Sequence, residues 1–305
     1  NDQLETQAQS AEVSFREQSP MFDGMSSGVD LSNVPTIGSK ATLAEAVHLL
    51  VRDLDPLAKR VILFIGDVPA RLLNPATGTL LPPPPTDPTN AQDPLWEDYG
   101  NAVLAAISSQ SRFQGGSAVW DVYGVIPPGQ GAKVSVRLER FTGQQRLLSD
   151  ETFISYARPE ITQFQVLADG SATQAQDVLR AAAQIPTDGS GKIRVFGKNF
   201  GPCPMVRIDF FDAMYSSETY SDGAGGQIDC RMFLSPASAG LTGKVRPCPG
   251  ASPTEHTCLE FDTFAGEGDG TWLGLAGGFT VRIVTLGVAA DDSGFGPTKK
   301  VMSRI

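Results

Sequence analysis

One pattern runs along this chain twice, and a repeat of this length has to be read before any single segment, because each copy must fold as a unit of its own. The middle of the sequence reads Ile126-Pro-Pro-Gly-Gln-Gly131, then Lys133-Val-Ser-Val-Arg-Leu138, a polar turn at Thr142-Gly-Gln144, and Thr152-Phe-Ile-Ser-Tyr156. The end reads Phe264-Ala-Gly-Glu-Gly268, then Phe279-Thr-Val-Arg-Ile-Val284, a polar loop through Asp291-Asp-Ser-Gly294, and Lys300-Val-Met-Ser-Arg304. The earlier halves also match. Val34-Pro-Thr-Ile37 leads to Arg60-Val-Ile-Leu-Phe-Ile-Gly66, and Arg158-Pro-Glu-Ile161 leads to Lys192-Ile-Arg-Val-Phe-Gly197 and on to Lys198-Asn-Phe-Gly201.

Val134, Val136 and Leu138 alternate with Lys133, Ser135 and Arg137, and Phe279, Val281 and Ile283 alternate with Thr280 and Arg282. That period of two predicts strands with one face in a core and one in water. Short strands divided by Gly and Pro turns predict β-sandwiches, and 32 Gly and 22 Pro in 305 residues supply the turns.

The stretch from Pro159-Glu-Ile161 to Val195-Phe-Gly-Lys-Asn-Phe-Gly201, with Ile126 to Tyr156, resembles the IPT/TIG module, the immunoglobulin-like fold shared by plexins and some transcription factors. The resemblance covers roughly residues 34 to 157 and 158 to 305. It implies a mainly β chain of two tandem immunoglobulin-like sandwiches, and a binding or structural role without conserved catalytic residues, as in a cell-surface or fibril-forming protein. The expected organisation is an N-terminal arm over 1–33, a first sandwich over 34–157, and a second, disulfide-bearing sandwich over 158–305.

Each copy departs from that family by an expected short helix after its first strand. Thr42-Leu-Ala-Glu45 reads as a capping box, followed by an apolar stripe of Leu43, Val47, Leu50, Leu54 and Leu57. Ala172-Thr-Gln-Ala-Gln176 aligns with it and predicts a second helix running to Pro186. A third is expected from Asp93-Pro94 through Trp96, Val103 and Ile107.

Charge and cysteine content narrow the function. The net charge is −10, from 24 basic and 34 acidic residues with no basic cluster, which argues against nucleic acid as a partner. No apolar run approaches the length of a membrane-spanning helix. Cys203, Cys230, Cys248 and Cys258 lie in loop-like surroundings in the last third. An even number of this kind predicts two disulfides, with three pairings open, and an oxidising, extracellular or cell-surface location. Zinc would require paired Cys-x-x-Cys or Cys-x-x-His spacings, and these are missing. A start at Asn1 without a signal peptide reads as a processed or excised fragment.

Candidate catalytic, cofactor and metal sites are expected to be absent. The chain has two histidines. His48 is expected on a helix in a structural role, and His256 as a solvated loop residue. Gly24-Met-Ser-Ser-Gly28 matches the expression of a hydrolase nucleophile elbow, but the strand and helix that the motif needs are not expected around it. Glu267, Asp269, Asp291 and Asp292 read as solvated turns rather than a calcium site. No Asn-x-Ser/Thr sequon occurs. The segment Leu81-Pro-Pro-Pro-Pro-Thr-Asp-Pro-Thr89 reads as an extended polyproline loop whose Thr86 and Thr89 are candidates for O-glycosylation.

Ala11-Glu-Val-Ser-Phe-Arg16 resembles the closing strand of a copy without a body of its own, and an unpaired strand must find a partner. With Val13, Ser14 and Phe15 as its core, pairing in its own chain and donation to a neighbouring copy are both open. Donation would build a homopolymer head to tail. The expected function is that of an extracellular structural subunit assembling into a filament or surface array. The rival is a ligand- or carbohydrate-binding ectodomain of a larger protein, with glycans stacking on Trp96, Trp120, Tyr123 or Trp272.

Overall fold

Val47, Leu49 and Val51 are completely buried, while His48, Leu50 and Arg52 on the other face are only partly covered. That is the period of a strand, and Val47–Arg52 is a strand rather than the expected helix. The apolar residues after Thr42 satisfy helical spacing and strand alternation alike, and hydrogen bonding to a neighbour on each side selects the strand.

The computed structural model describes residues 19–54, 60–85, 94–108, 112–114, 117–142, 145–168, 171–172, 176–177, 191–203, 205–208, 213–216, 219–221, 227–229, 245–251, 255–262 and 281–284. Among them the chain is mainly β, with a single α-helix. The first body contains β1 (Met21–Ser26), β2 (Val47–Arg52), β3 (Val61–Ile65), β4 (Val68–Pro69), β5 (Leu72–Leu73), α1 (Leu95–Ser108), β6 (Arg112–Gln114), β7 (Ser117–Gly124), β8 (Val134–Thr142), β9 (Gln145–Leu148) and β10 (Thr152–Ile154). The second contains β11 (Glu160–Ala168), β12 (Ser171–Ala172), β13 (Gln176–Asp177), β14 (Lys192–Lys198), β15 (Met205–Ile208), β16 (Ala213–Ser216), β17 (Thr219–Ser221), β18 (Gln227–Asp229), β19 (Val245–Pro247), β20 (Cys258–Asp262) and β21 (Val281–Val284).

In the first body the antiparallel sheets run β1-β2-β7-β5 and β10-β8-β3-β4. Val47, Leu49, Val51 and Val122 of one sheet share a core with Val61, Leu63, Val136 and Leu138 of the other. Gly124 has no side chain because Leu63 takes the space: a Cβ there would lie 2.2 Å from Leu63 Cδ2. Helix α1 forms where expected and buries Trp96, Tyr99, Val103 and Ile107 in this core, with the Tyr99 hydroxyl donating to the Val61 carbonyl at 2.9 Å. Glu97 and Asp98 in its first turn suit the positive end of the helix dipole.

Met21–Ser26 lies within the segment expected to be the arm, yet it pairs with β2, so the first body includes residues before Val34. The register shifts between Phe22 and Gly24. This one-residue bulge at Asp23 lets both Phe22 and Met25 pack on the core, although an odd spacing would otherwise point them to opposite faces. Further on, Val34 forms a parallel bridge with Tyr156, tying the same N-terminal stretch to the other sheet.

The second body has a sheet β12-β11-β14-β20-β19, a sheet β16-β15-β21 and the hairpin β17-β18. Ile193, Val195, Leu259 and Phe261 form its buried face. The expected helix after Ala172 fails where it can be checked, because Ser171–Ala172 and Gln176–Asp177 pair as strands with β11. Topology also shifts the repeat. The strand order equates β14 with β2, not with Arg60–Gly66, the segment matched to it above.

Both bodies bury a glutamate under arginines on a sheet face. Glu139 on β8 accepts from Arg137 Nε at 3.0 Å and Arg146 Nε at 2.8 Å. Glu260 on β20 accepts from Arg194 Nε at 2.8 Å and Arg246 Nη2 at 2.7 Å. Burial pushes the Glu260 carboxyl up, but the bonds from Arg194 and Arg246 outweigh it and hold the group below the usual carboxylate range.

Truncating Leu63, which is completely buried, should lower the unfolding free energy by about 2–5 kcal/mol through lost burial and the cavity left behind. Urea unfolding of Leu63→Ala checks this.

Candidate functional site

The segments around Thr36 and Gln130 are stitched to each other before they reach the second body. Ser39 N donates to the Ile126 carbonyl and Gly129 N to the Thr36 carbonyl, each at 2.9 Å. The Tyr156 hydroxyl donates to the Pro127 carbonyl at 2.8 Å, and burial pushes its phenol well above the usual range. The turn built from Pro127, Pro128 and Gly129 thus has a fixed shape, and it presents Gln130 away from its own sheet.

Gln130 crosses to the second body and brackets one residue of its backbone. Its Nε2 donates to the Cys203 carbonyl at 3.1 Å, and its Oε1 accepts from Cys203 N at 2.9 Å. A primary amide has one donor edge and one acceptor edge, so it can imitate a neighbouring strand across a single residue. Gly201 makes room for it. A Cβ at Gly201 would lie 2.4 Å from Gln130 Oε1, and the backbone there has φ +80°, in the left-handed region.

A second contact runs beside the first. His256 Nδ1 and Thr36 Oγ1 share a hydrogen bond at 3.0 Å. The His256 carbonyl accepts from Phe200 N at 3.2 Å, and the neighbouring Thr257 carbonyl accepts from Gly197 N at 2.8 Å, so the histidine loop is anchored to β14 and the residues after it. Thr36, Gln130, Phe200, Cys203 and His256 are all buried. The expectation of a solvated His256 is therefore corrected: the first body covers it. Burial lowers its pKa to about 4, so the ring is neutral at pH 7.

The cysteines brace the same region. Cys248 and Cys258 form a disulfide, and Cys203 is also disulfide-bonded. The bridge at Cys258 sits two residues from His256, and the bonded Cys203 is the residue that Gln130 grips. Cys230, Val13, Ser14, Phe15, Thr86, Thr89, Trp272, Glu267, Asp269, Asp291 and Asp292 lie outside the described residues. Trp96 and Trp120 are buried in the first core and offer no ring face to a glycan. Tyr123 is partly covered and stacks on His48, with ring centroids 4.3 Å apart.

Two expectations about Ser26 and His48 change. Both lie on strands, on one face of the first sheet, with Ser26 and His48 as direct cross-strand partners. The joint residues Thr36 and Gln130 were missed by sequence reasoning. The available signal was the short polar side chain between Pro35 and Ile37, and a glutamine framed by Gly129 and Gly131, both within the repeated turns. No protein-family model matches the chain, and no curated protein matches it.

Removing the amide in Gln130→Ala leaves the Cys203 N–H and carbonyl without this partner and should destabilise the pair of bodies by about 1–3 kcal/mol. Acid should act on the same joint. An unfolded His256 takes up its proton near its ordinary pKa of 6.5 and the folded one only near 4. Stability is therefore full above pH 6.5, falls between pH 6.5 and 4, and loses on the order of 3 kcal/mol in that window. Urea unfolding of the parent chain and of His256→Gln across this range checks the effect, which the variant should lack.

Proposed function

We propose that this chain is a structural segment of an extracellular protein, made of two tandem immunoglobulin-like modules of the IPT/TIG kind and used to build a filament or surface array. The carrying observation is strand order. An immunoglobulin sandwich places its strands A, B, E and D in one sheet and C, F and G in the other, with C′ added beside C in variable-type domains. The first body runs β1-β2-β7-β5 and β10-β8-β3-β4, which fits A-B-E-D and G-F-C-C′. In the second, β11-β14-β20-β19 and β21-β15-β16 fit A-B-E-D and F-C-C′.

A structural role is favoured by how the modules are joined. Independent modules on a flexible tether tumble separately, whereas a buried, hydrogen-bonded joint transmits orientation. The disulfide Cys248–Cys258 suits an oxidising compartment. Polymerisation is assigned to the N-terminal segment containing Val13, Ser14 and Phe15, donated to a neighbouring copy. Phe153 on β10 is half exposed and offers an apolar anchor for the donated segment, beside the Leu31 and Val34 stretch that already pairs with Ser155 and Ala157.

The test compares the full chain with a version lacking residues 1–18 by negative-stain microscopy and sedimentation. The full chain should form filaments and the truncated one should remain monomeric. Filaments of equal length from both, or a monomeric full chain that binds glycans saturably, would reject the assembly reading.

A further inference from the structure

Ser26, His48 and Asp121 come from three adjacent strands, β1, β2 and β7, and meet on the face of the sheet that points away from the core. The bulge at Asp23 sets the phase of β1 so that Met25 turns inward and Ser26 turns outward, opposite His48. His48 pairs with Tyr123 across to β7, and Asp121 lies two residues along that strand on the same face. The Ser26 Oγ is 3.4 Å from His48 Nδ1, and His48 Nε2 is 2.7 Å from Asp121 Oδ1.

Exposure grades across the three groups. The Asp121 side chain is 4% exposed and that of His48 21%, while Ser26 faces solvent. An ionised carboxylate accepts hydrogen bonds and donates none, so the proton of a neutral His48 sits on Nε2, and the Nδ1 lone pair is left toward the Ser26 hydroxyl. Tyr123 lies flat against the ring, with an interplanar angle of 3°, and holds its plane. Serine, base and orienting carboxylate are thus in the order that activates a nucleophile, with the two ring nitrogens exchanged relative to the usual assignment.

We propose that Ser26 is an activated nucleophile that accepts acyl groups from small activated esters, with His48 as its general base and Asp121 as the positioning residue. Ser26 Oγ attacks the ester carbonyl carbon while its proton passes to His48 Nδ1. The carbon–oxygen bond to the leaving alcohol breaks, and the alcohol departs with that proton. Water then attacks the acyl-Ser26, giving one proton to His48, and the carboxylic acid leaves as Ser26 regains its proton. The net change is ester plus water to acid plus alcohol, with no other reactant. Ser26 is solvent-exposed, so small esters reach its hydroxyl directly.

The test treats the full, folded chain with an alkyl fluorophosphonate and maps the adduct by mass spectrometry, alongside hydrolysis of 4-nitrophenyl acetate. A single adduct on Ser26 is expected, absent in Ser26→Ala and formed at least tenfold more slowly in His48→Gln. In Asp121→Asn the reaction should slow and its rate-against-pH profile should move toward acid, which loss of packing alone would not produce. No adduct on Ser26 in the parent chain overturns the proposal without any variant having to fold. A folded His48→Gln reacting at the parent rate also overturns it.

Discussion

A side-chain amide posing as a strand holds the two halves of this molecule together. Gln130 pairs with both the N–H and the carbonyl of one residue of the second body, Cys203, and the missing side chain of Gly201 leaves the space it occupies. Buried polar groups are costly unless they are matched, so such a contact favours one relative placement over many nearby ones. The turn behind Gln130 and the disulfide-bonded cysteine ahead of it reduce the freedom lost when the contact forms. The hydrogen bond between Thr36 and His256 adds a second point of attachment, and two points fix a direction.

The buried glutamates show how each sheet tolerates charge beside its core. Glu139 and Glu260 sit at the centres of strands, where a bare carboxylate would be expelled, and both are held by arginine forks from the same or adjacent strands. Breaking such a cluster leaves an uncompensated buried charge, so it marks a preferred register more than it adds net stability. One strand slip would carry the carboxylate to the opposite face and away from its arginines.

How much of this was legible in the sequence depended on range. Val134, Val136 and Leu138 announced their strand because alternation is local, and α1 was readable from Pro94, Trp96 and Val103. The segment from Leu43 to Leu54 misled because its apolar residues fit both a helical stripe and an alternating strand. The deciding partners, β1 and β7, lie in other parts of the chain. The repeat was visible but set one strand out of phase, since Arg60–Gly66 and Lys192–Gly197 both end in glycine and look alike locally. Ser26 stood in a recognisable motif, yet Asp121 is 73 residues from His48, and no spacing rule connects them. Cross-body contacts such as Thr36 with His256, 220 residues apart, depend on two finished folds meeting and leave little trace in either one.

The parallel bridge between Val34 and Tyr156 has a mechanical consequence. Val34 N donates to the Ser155 carbonyl, Ala157 N to the Val34 carbonyl, and Ser155 N to the Leu31 carbonyl, all just before the chain passes into the second body. A pull transmitted through Ala157 against the N-terminal stretch runs along these two segments rather than across them. The bonds are then loaded together in shear and must yield as a group, whereas a hairpin peeled from its end gives way one bond at a time.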